Sequence, residues 1–173
     1  LIKDRTRLKT QTLGFTRHQT KARLAQIKRQ LTALQREMAS RINACPKRTR
    51  ASAILRSIGG IGEVAAAAIL IVCPEIGTLG KKQLVSLAGL APIMRQSGTW
   101  KGKVFIQGGR KHLRDALYMP ALVASRFNTN MRDRYQAMIK AGKPAKLALT
   151  AIMRKLIELA NALIRADRKW NQN

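Results

Sequence analysis

The chain has 173 residues, with 34 Lys and Arg against 8 Asp and Glu, for a formal net charge of +26. Such a chain repels itself unless a polyanion neutralises it, and nucleic acid is the polyanion that fits best. Apolar residues make up 46% and aromatic residues 4%, so Ala, Leu and Ile must build the core, which favours packed helices over a sheet. No apolar run approaches the roughly 20 residues of a membrane span and no signal peptide is visible, so the expected compartment is the cytoplasm, beside the nucleoid, with no membrane partner. The charge is uneven: the first 50 residues hold 14 basic and 2 acidic residues, the next 50 only 4 and 2. A near-neutral middle reads as core, and the basic flanks read as nucleic-acid contacts.

Residues 1–19 read as a basic arm that orders on a partner. Opening on Leu1 rather than Met, the chain reads as a fragment of a longer protein. From Thr20 a helix is expected, because Leu24, Ile27, Leu31, Leu34 and Met38 recur at the 3-4 spacing of a coiled-coil seam. It serves either as a packing helix within the domain or as a homo-oligomer contact, and Pro46 closes it. Residues 1–50 are thus a basic arm and linker helix, and residues 51–173 a compact helical domain.

Within residues 51–72, ASAILRSIGGIGEVAAAAILIV, a short apolar helix around Ile54, Leu55 and Ile58 meets a Gly-rich turn and a second, nearly all-apolar helix. This pattern resembles a helix-hairpin-helix. Gly60 and Gly62 would let a DNA phosphate approach the backbone N–H groups at the start of the second helix. The plain alternative is an αα-turn with a glycine C-cap. A short helix is expected over 81–89, a strand near 104–106 and a helix from Lys111 to Arg126, kinked or delayed by Pro120. A helix from Met131 to Lys140, a turn at 141–144 and a long final helix from Ala145 to Arg165 complete the series. Trp170 packs on the core or on a partner. Cys45 and Cys73 read as small buried hydrophobes, and no metal motif is present. The eight carboxylates read as surface or capping charges.

The stretch 86–117, SLAGLAPIMRQSGTWKGKVFIQGGRKHLRDAL, sets Ser97 in a segment too rich in Gly and Pro for a helix. Arg95, Lys101, Lys103, Arg110, Lys111 and Arg114 flank it. A hydroxyl ringed by cations suits attack on a phosphodiester, although serine is a poor nucleophile alone. A turn serine that merely binds phosphate fits the same residues.

Three blocks in order resemble the C-terminal half of the DEDD-type, bridge-RNA-guided bacterial insertion-sequence transposases. They are Ile58–Gly62; Gly89–Pro92 through Arg95-Gln96-Ser97-Gly98 to Gly109-Arg110 and Leu113-Arg114; and Gly142-Lys143-Pro144 with Met153-Arg154-Lys155-Leu156. The resemblance covers roughly residues 24–170 and implies a mainly α fold with a Gly-rich catalytic loop over 89–110. It implies that Ser97 forms a covalent phosphoserine link to DNA. It places Lys143, Arg154 and Lys155 with the phosphate-binding residues, and Mg²⁺ on the acidic residues of a RuvC-like half absent from these 173 residues. It implies DNA and a guide RNA as partners, and an isolated chain with little or no strand cleavage. Where many relatives carry a Lys near Gln107, this chain has Gln107-Gly108-Gly109. Two other classes fit the charge: a stand-alone architectural DNA-binding protein and an RNA-binding assembly protein.

Overall fold

The computed structural model describes residues 3–4, 17–94, 96–97, 100–101 and 104–171. Most of the expected basic arm, residues 1–19, lies outside them. The fold is mainly α, as the composition predicts, and divides into two compact units, residues 1–45 and 46–173.

The first unit is dominated by α1 (Arg17–Asn43), which starts three residues earlier than its apolar seam suggests. Along that seam Ile27 is buried, Leu24, Leu31 and Met38 are half-buried, and Leu34 is 49% exposed. The i,i+4 pair Glu37–Arg41 (2.7 Å) ties its solvent face.

The second unit contains α2 (Pro46–Ser57), α3 (Glu63–Val72), α4 (Lys81–Leu87), α5 (Lys111–Phe127), α6 (Thr129–Lys140) and α7 (Ala145–Arg165). Pro46 does more than terminate α1. It is the first residue of α2, where its missing N–H costs no hydrogen bond and its fixed φ suits a helix start. The expected short apolar helix is therefore twelve residues long, with Lys47, Arg48 and Arg50 in its first half. Helices α5 and α7 are central: α5 packs on α3, α6 and α7, and α7 packs also on α2, α4 and α6. Ile152, Leu156, Ile157 and Ala160 of α7 meet Leu113, Leu117, Ala121 and Ala124 of α5 in a fully buried core. Each large aliphatic side chain there contributes about 1.5–3 kcal/mol by leaving water.

Pro120 neither shifts the start of α5 nor ends it; the helix runs from Lys111 through Pro120 to Phe127. The inner face of α5 includes Leu113, Leu117, Pro120, Ala121 and Ala124, while Leu122 is only half-buried. Met131 is not the start of α6. Asn128 caps that helix from one position before Thr129, its side-chain oxygen accepting the Met131 N–H (3.2 Å). The amide nitrogen of the same buried Asn128 donates to the Gly59 carbonyl (3.3 Å), joining the α2–α3 turn to the α5–α6 junction. Asn161, buried in α7, accepts from the Gly77 N–H (2.7 Å) and donates to the Leu79 carbonyl (3.0 Å), which fixes the α3–α4 connection. Trp170 packs against the core, and its backbone N–H donates to the Ser57 hydroxyl (2.8 Å).

The α2–α3 turn is shaped by Gly60, at φ +111°. A Cβ there would lie 2.8 Å from both the Ala124 Cβ and the Pro120 carbonyl oxygen. The close approach at Gly60 is therefore made to α5. Gly62 instead stands at the N-terminus of α3 with extended backbone and open space around it. Gly60→Ala should cost about 2 kcal/mol or more, from strain and overpacking together. Gly62→Ser should stay within a few tenths of a kcal/mol of wild type, since serine is at home at an N-cap. Thermal melts of the two variants check the contrast.

Candidate functional site

The connection between α4 and α5, referred to as the arm, carries two short antiparallel ladders among its described residues. Its lower part pairs β1 (Pro92–Ile93) with β4 (Phe105–Ile106), Pro92 opposite Ile106 and Ile93 opposite Phe105. Its upper part pairs β2 (Gln96–Ser97) with β3 (Trp100–Lys101), Gln96 opposite Lys101 and Ser97 opposite Trp100. The strand expected near 104–106 is thus β4, and Ser97 occupies the last antiparallel pair before residues 98 and 99. Arg95 and Lys103 lie outside the described residues, as do the side chains of Ser97 and Lys101.

The foot of the arm is the best-built part of the site. The Arg110 guanidinium donates to both oxygens of Glu75, at 2.8 and 2.6 Å, and to the Val72 carbonyl at 2.7 Å. Its own backbone N–H donates to the Leu87 carbonyl (2.7 Å). One residue thereby ties the returning strand to the end of α3 and the end of α4. Arg114, one turn further along α5, donates to the Gly108 carbonyl (2.8 Å) and the Ala88 carbonyl (3.2 Å). Between these two arginines the outgoing and returning chains touch. Gly89 and Gly109 both have left-handed φ, at +65° and +63°. A Cβ on Gly89 would run into the Gly108 carbonyl oxygen, and one on Gly109 into the Gly89 nitrogen. Only glycine permits that approach.

Hydrogen bonding by Arg110 holds the Glu75 carboxyl well below its ordinary 4.5, at about 2. The same pairing pushes Arg110 further up. Beside them, burial raises the Cys73 thiol, with the Glu75 charge acting in the same direction. Cys73 is fully buried, a small core hydrophobe as expected.

The remaining expected site residues are spread over the unit. Lys111 pairs with Asp115 one turn on (2.6 Å), which lowers the Asp115 carboxyl. On α7, Arg154 donates through Nε to Glu158 (3.0 Å), whose other oxygen faces Lys81 (3.3 Å). Lys155 is half-buried on α7 and Lys143 is exposed in the α6–α7 turn; neither makes an ion pair among the described residues. At the start of α3, Glu63 already places a carboxylate beside the open Gly62 N-terminus.

Two carboxylates depart from the expected surface role. Glu75 closes the arm's foot, and Glu158, with only 9% of its side chain exposed, bridges Lys81 and Arg154. Sequence reasoning missed both, and the only local signal was the Arg154–Glu158 i,i+4 spacing. Among the described residues no three His, Cys, Asp or Glu side chains gather as metal ligands, so these residues do not fit a Mg²⁺ site. No helix among the described residues is long and apolar enough to cross a membrane.

Because the folded-state pKa of Glu75 is depressed, its pairing stabilises the fold fully above its ordinary pKa. That contribution is lost as pH falls from about 4.5 to about 2. Glu75→Gln should melt below wild type at pH 7. The gap should close steadily across that acid window in a series of melts, and should narrow at high salt because the pair is partly exposed.

Residues 52–136, which include the second half of α2, α3, α4, the arm, α5 and most of α6, match the Transposase IS116/IS110/IS902 family model. The chain is 32% identical over 176 residues to a pilin gene-inverting protein of Moraxella lacunata, and 31% identical to that of Moraxella bovis. Each alignment takes in 99% of this chain and 54% of the relative. It is also 32% identical over 133 residues to an insertion element IS110 uncharacterized 43.6 kDa protein of Streptomyces coelicolor, covering 75% of this chain and 33% of that protein. The chain thus spans about half the length of the pilin gene-inverting proteins, and its match to the transposase IS116/IS110/IS902 family model is confined to residues 52–136.

Proposed function

We propose that this chain is the DNA-binding, nucleophile-supplying part of a DNA transposase or recombinase. The observation that carries the reading is the family match itself, because it takes in Ser97 together with the ladder it belongs to and the Arg110–Glu75 contact. The relatives' names, a pilin gene-inverting protein and an insertion element IS110 protein, support this reading, since inverting a gene requires DNA strands to be cut and rejoined.

In this reading the Ser97 hydroxyl oxygen attacks a phosphodiester phosphorus. A serine–phosphate bond forms and the bond from phosphorus to one deoxyribose oxygen breaks. The serine proton leaves to a base, and the departing sugar oxygen takes up a proton. Attack on the phosphoserine by the hydroxyl of a new DNA end reverses the step and restores Ser97, so no external energy source is needed. Cations at the phosphate stabilise the five-coordinate transition state. The arm residues Arg95, Lys101 and Lys103 are the candidates nearest in sequence, since Arg110 and Arg114 already hold the foot. Gly62, Lys111, Lys143, Arg154 and Lys155 complete the proposed DNA-contacting set, with α2–α3 as a helix-hairpin-helix whose Gly60 packs on α5 instead. Mg²⁺ belongs to a RuvC-like half with its own acidic residues. A guide RNA binds the basic surface, copies associate through the seam of α1, and the assembly works on the bacterial nucleoid.

A second reading, a non-catalytic architectural DNA-binding protein, draws on the engagement of Arg110, Arg114 and Arg154 by intramolecular partners. A denaturing gel separates the two. The chain is incubated with nicked, labelled DNA and Mg²⁺, with and without a separately made RuvC-like half, beside Ser97→Ala. The expected result is a covalent adduct only with both halves present and Ser97 intact, with DNA binding unchanged in the variant. Binding without any adduct assigns the chain to the architectural class.

A further inference from the structure

Between the lower ribbon of the arm and helix α7 lies an open groove of about 510 Å³. Its walls are apolar: Leu90 and Pro92 on the outgoing side, Phe105 on the returning strand, and Leu147 on α7. Lys146 and Arg154 stand among them as the cations of the lining. Its apolar residues are not all packed away; Leu147 is 44% exposed and the neighbouring Val104 is 50% exposed. Arg154 engages Glu158 through Nε alone, and its two terminal nitrogens have no partner among the described residues. The volume falls within the roughly 300–1,000 Å³ of sites that take small organic groups.

We propose that this groove receives one unpaired nucleobase of a DNA strand, stacked on Phe105, with the adjoining phosphates on Lys146 and Arg154. The proposal rests on the recombinase reading and adds to it a base-holding site beside the reacting one. Three observations on the molecule carry it. An apolar slot with an aromatic wall is what a base leaving the stack requires, since every base has an apolar face and stacking is insensitive to sequence. Both cations of the lining have the sign that a flanking phosphate needs, on a chain of net charge +26. An acidic or purely apolar partner would use one half of this lining and leave the other unmatched; a nucleotide uses both. The slot is also close to the serine in chain terms. Pro92 is five residues before Ser97, at most about 18 Å of extended chain. One DNA strand advances about 3.4 Å per nucleotide, so the extruded base lies within about five nucleotides of the attacked phosphate. Holding it there fixes the register of the strand and props the duplex open beside the cut.

The test uses the whole chain and three labelled duplexes at one fixed salt concentration. One is fully paired, one carries a single-base bulge, and one carries a bulged nucleotide that lacks its base. The abasic bulge keeps the kink and the extra phosphate but offers nothing to stack. The expected result is about tenfold tighter binding to the base-bearing bulge than to either of the others. Phe105→Ala should reduce that preference. Leu147→Trp, which fills the slot from an exposed helical position and leaves the arm untouched, should abolish it, with an unchanged thermal melt confirming the fold. Equal affinity for the base-bearing and abasic bulges overturns the slot, as does a preference that survives Leu147→Trp. If all three duplexes bind equally, the slot alone falls. If none binds, the DNA reading falls with it.

Discussion

The arm that carries Ser97 depends on one ion pair. Its two ladders are each two residues long per strand, and isolated ribbons of that size are at best marginal in water. Something outside the ribbon must set where it stands. Arg110 does so from the returning strand, reaching Glu75 with both terminal nitrogens and the end of α3 with one of them. A bidentate guanidinium–carboxylate contact fixes direction as well as distance. The glycine crossing at Gly89 and Gly109 then brings the two feet into backbone contact, and Arg114 closes the carbonyls on either side. The helical body so fixes the foot of a short ribbon through contacts at both of its ends.

The helices were legible because their signals are local. The 3.6-residue spacing of Leu149, Ile152, Met153, Leu156 and Ala160 names the inner face of α7 without any knowledge of its neighbours. Pro46 shows where locality misleads. The same residue that cannot continue one helix is well suited to begin another, and which role dominates depends on the helix-forming strength of residues 47–57. At Pro120 the sequence favours a break, yet α5 continues because the residue is buried against the α2–α3 turn. Tertiary packing outweighs one missing hydrogen bond there.

The contacts among the candidate site residues were not legible in the same way. Composition gives the charge of a residue but not its partner. Glu75 and Arg110 are 35 residues apart, so no periodicity links them. Arg110 and Arg114 look identical in sequence to cations awaiting a phosphate. The same blindness hid Asn128 and Asn161, whose amides each join elements far apart in the chain. Ser97 stood out only through the motif around it, since the spacing of a lone serine carries no chemical signal of its own.

The charge distribution and the clamp bear on one another. Glu37, Glu75, Asp115, Asp133, Glu158 and Asp167 all sit in ion pairs, several of them within a single helix. With 8 acidic residues against 34 basic ones, such pairing leaves a large cationic excess that weakens the compact state by self-repulsion. A bound polyanion removes that penalty, and by linkage whatever binds the folded form stabilises it. The arm and its clamp gain from this most directly. Their ribbon is short and their ion pair is partly exposed. Nucleic acid on this surface would therefore stabilise the folded unit as well as bind to it. It would also stabilise the clamped foot of the arm, because whatever binds the folded form shifts the equilibrium toward it.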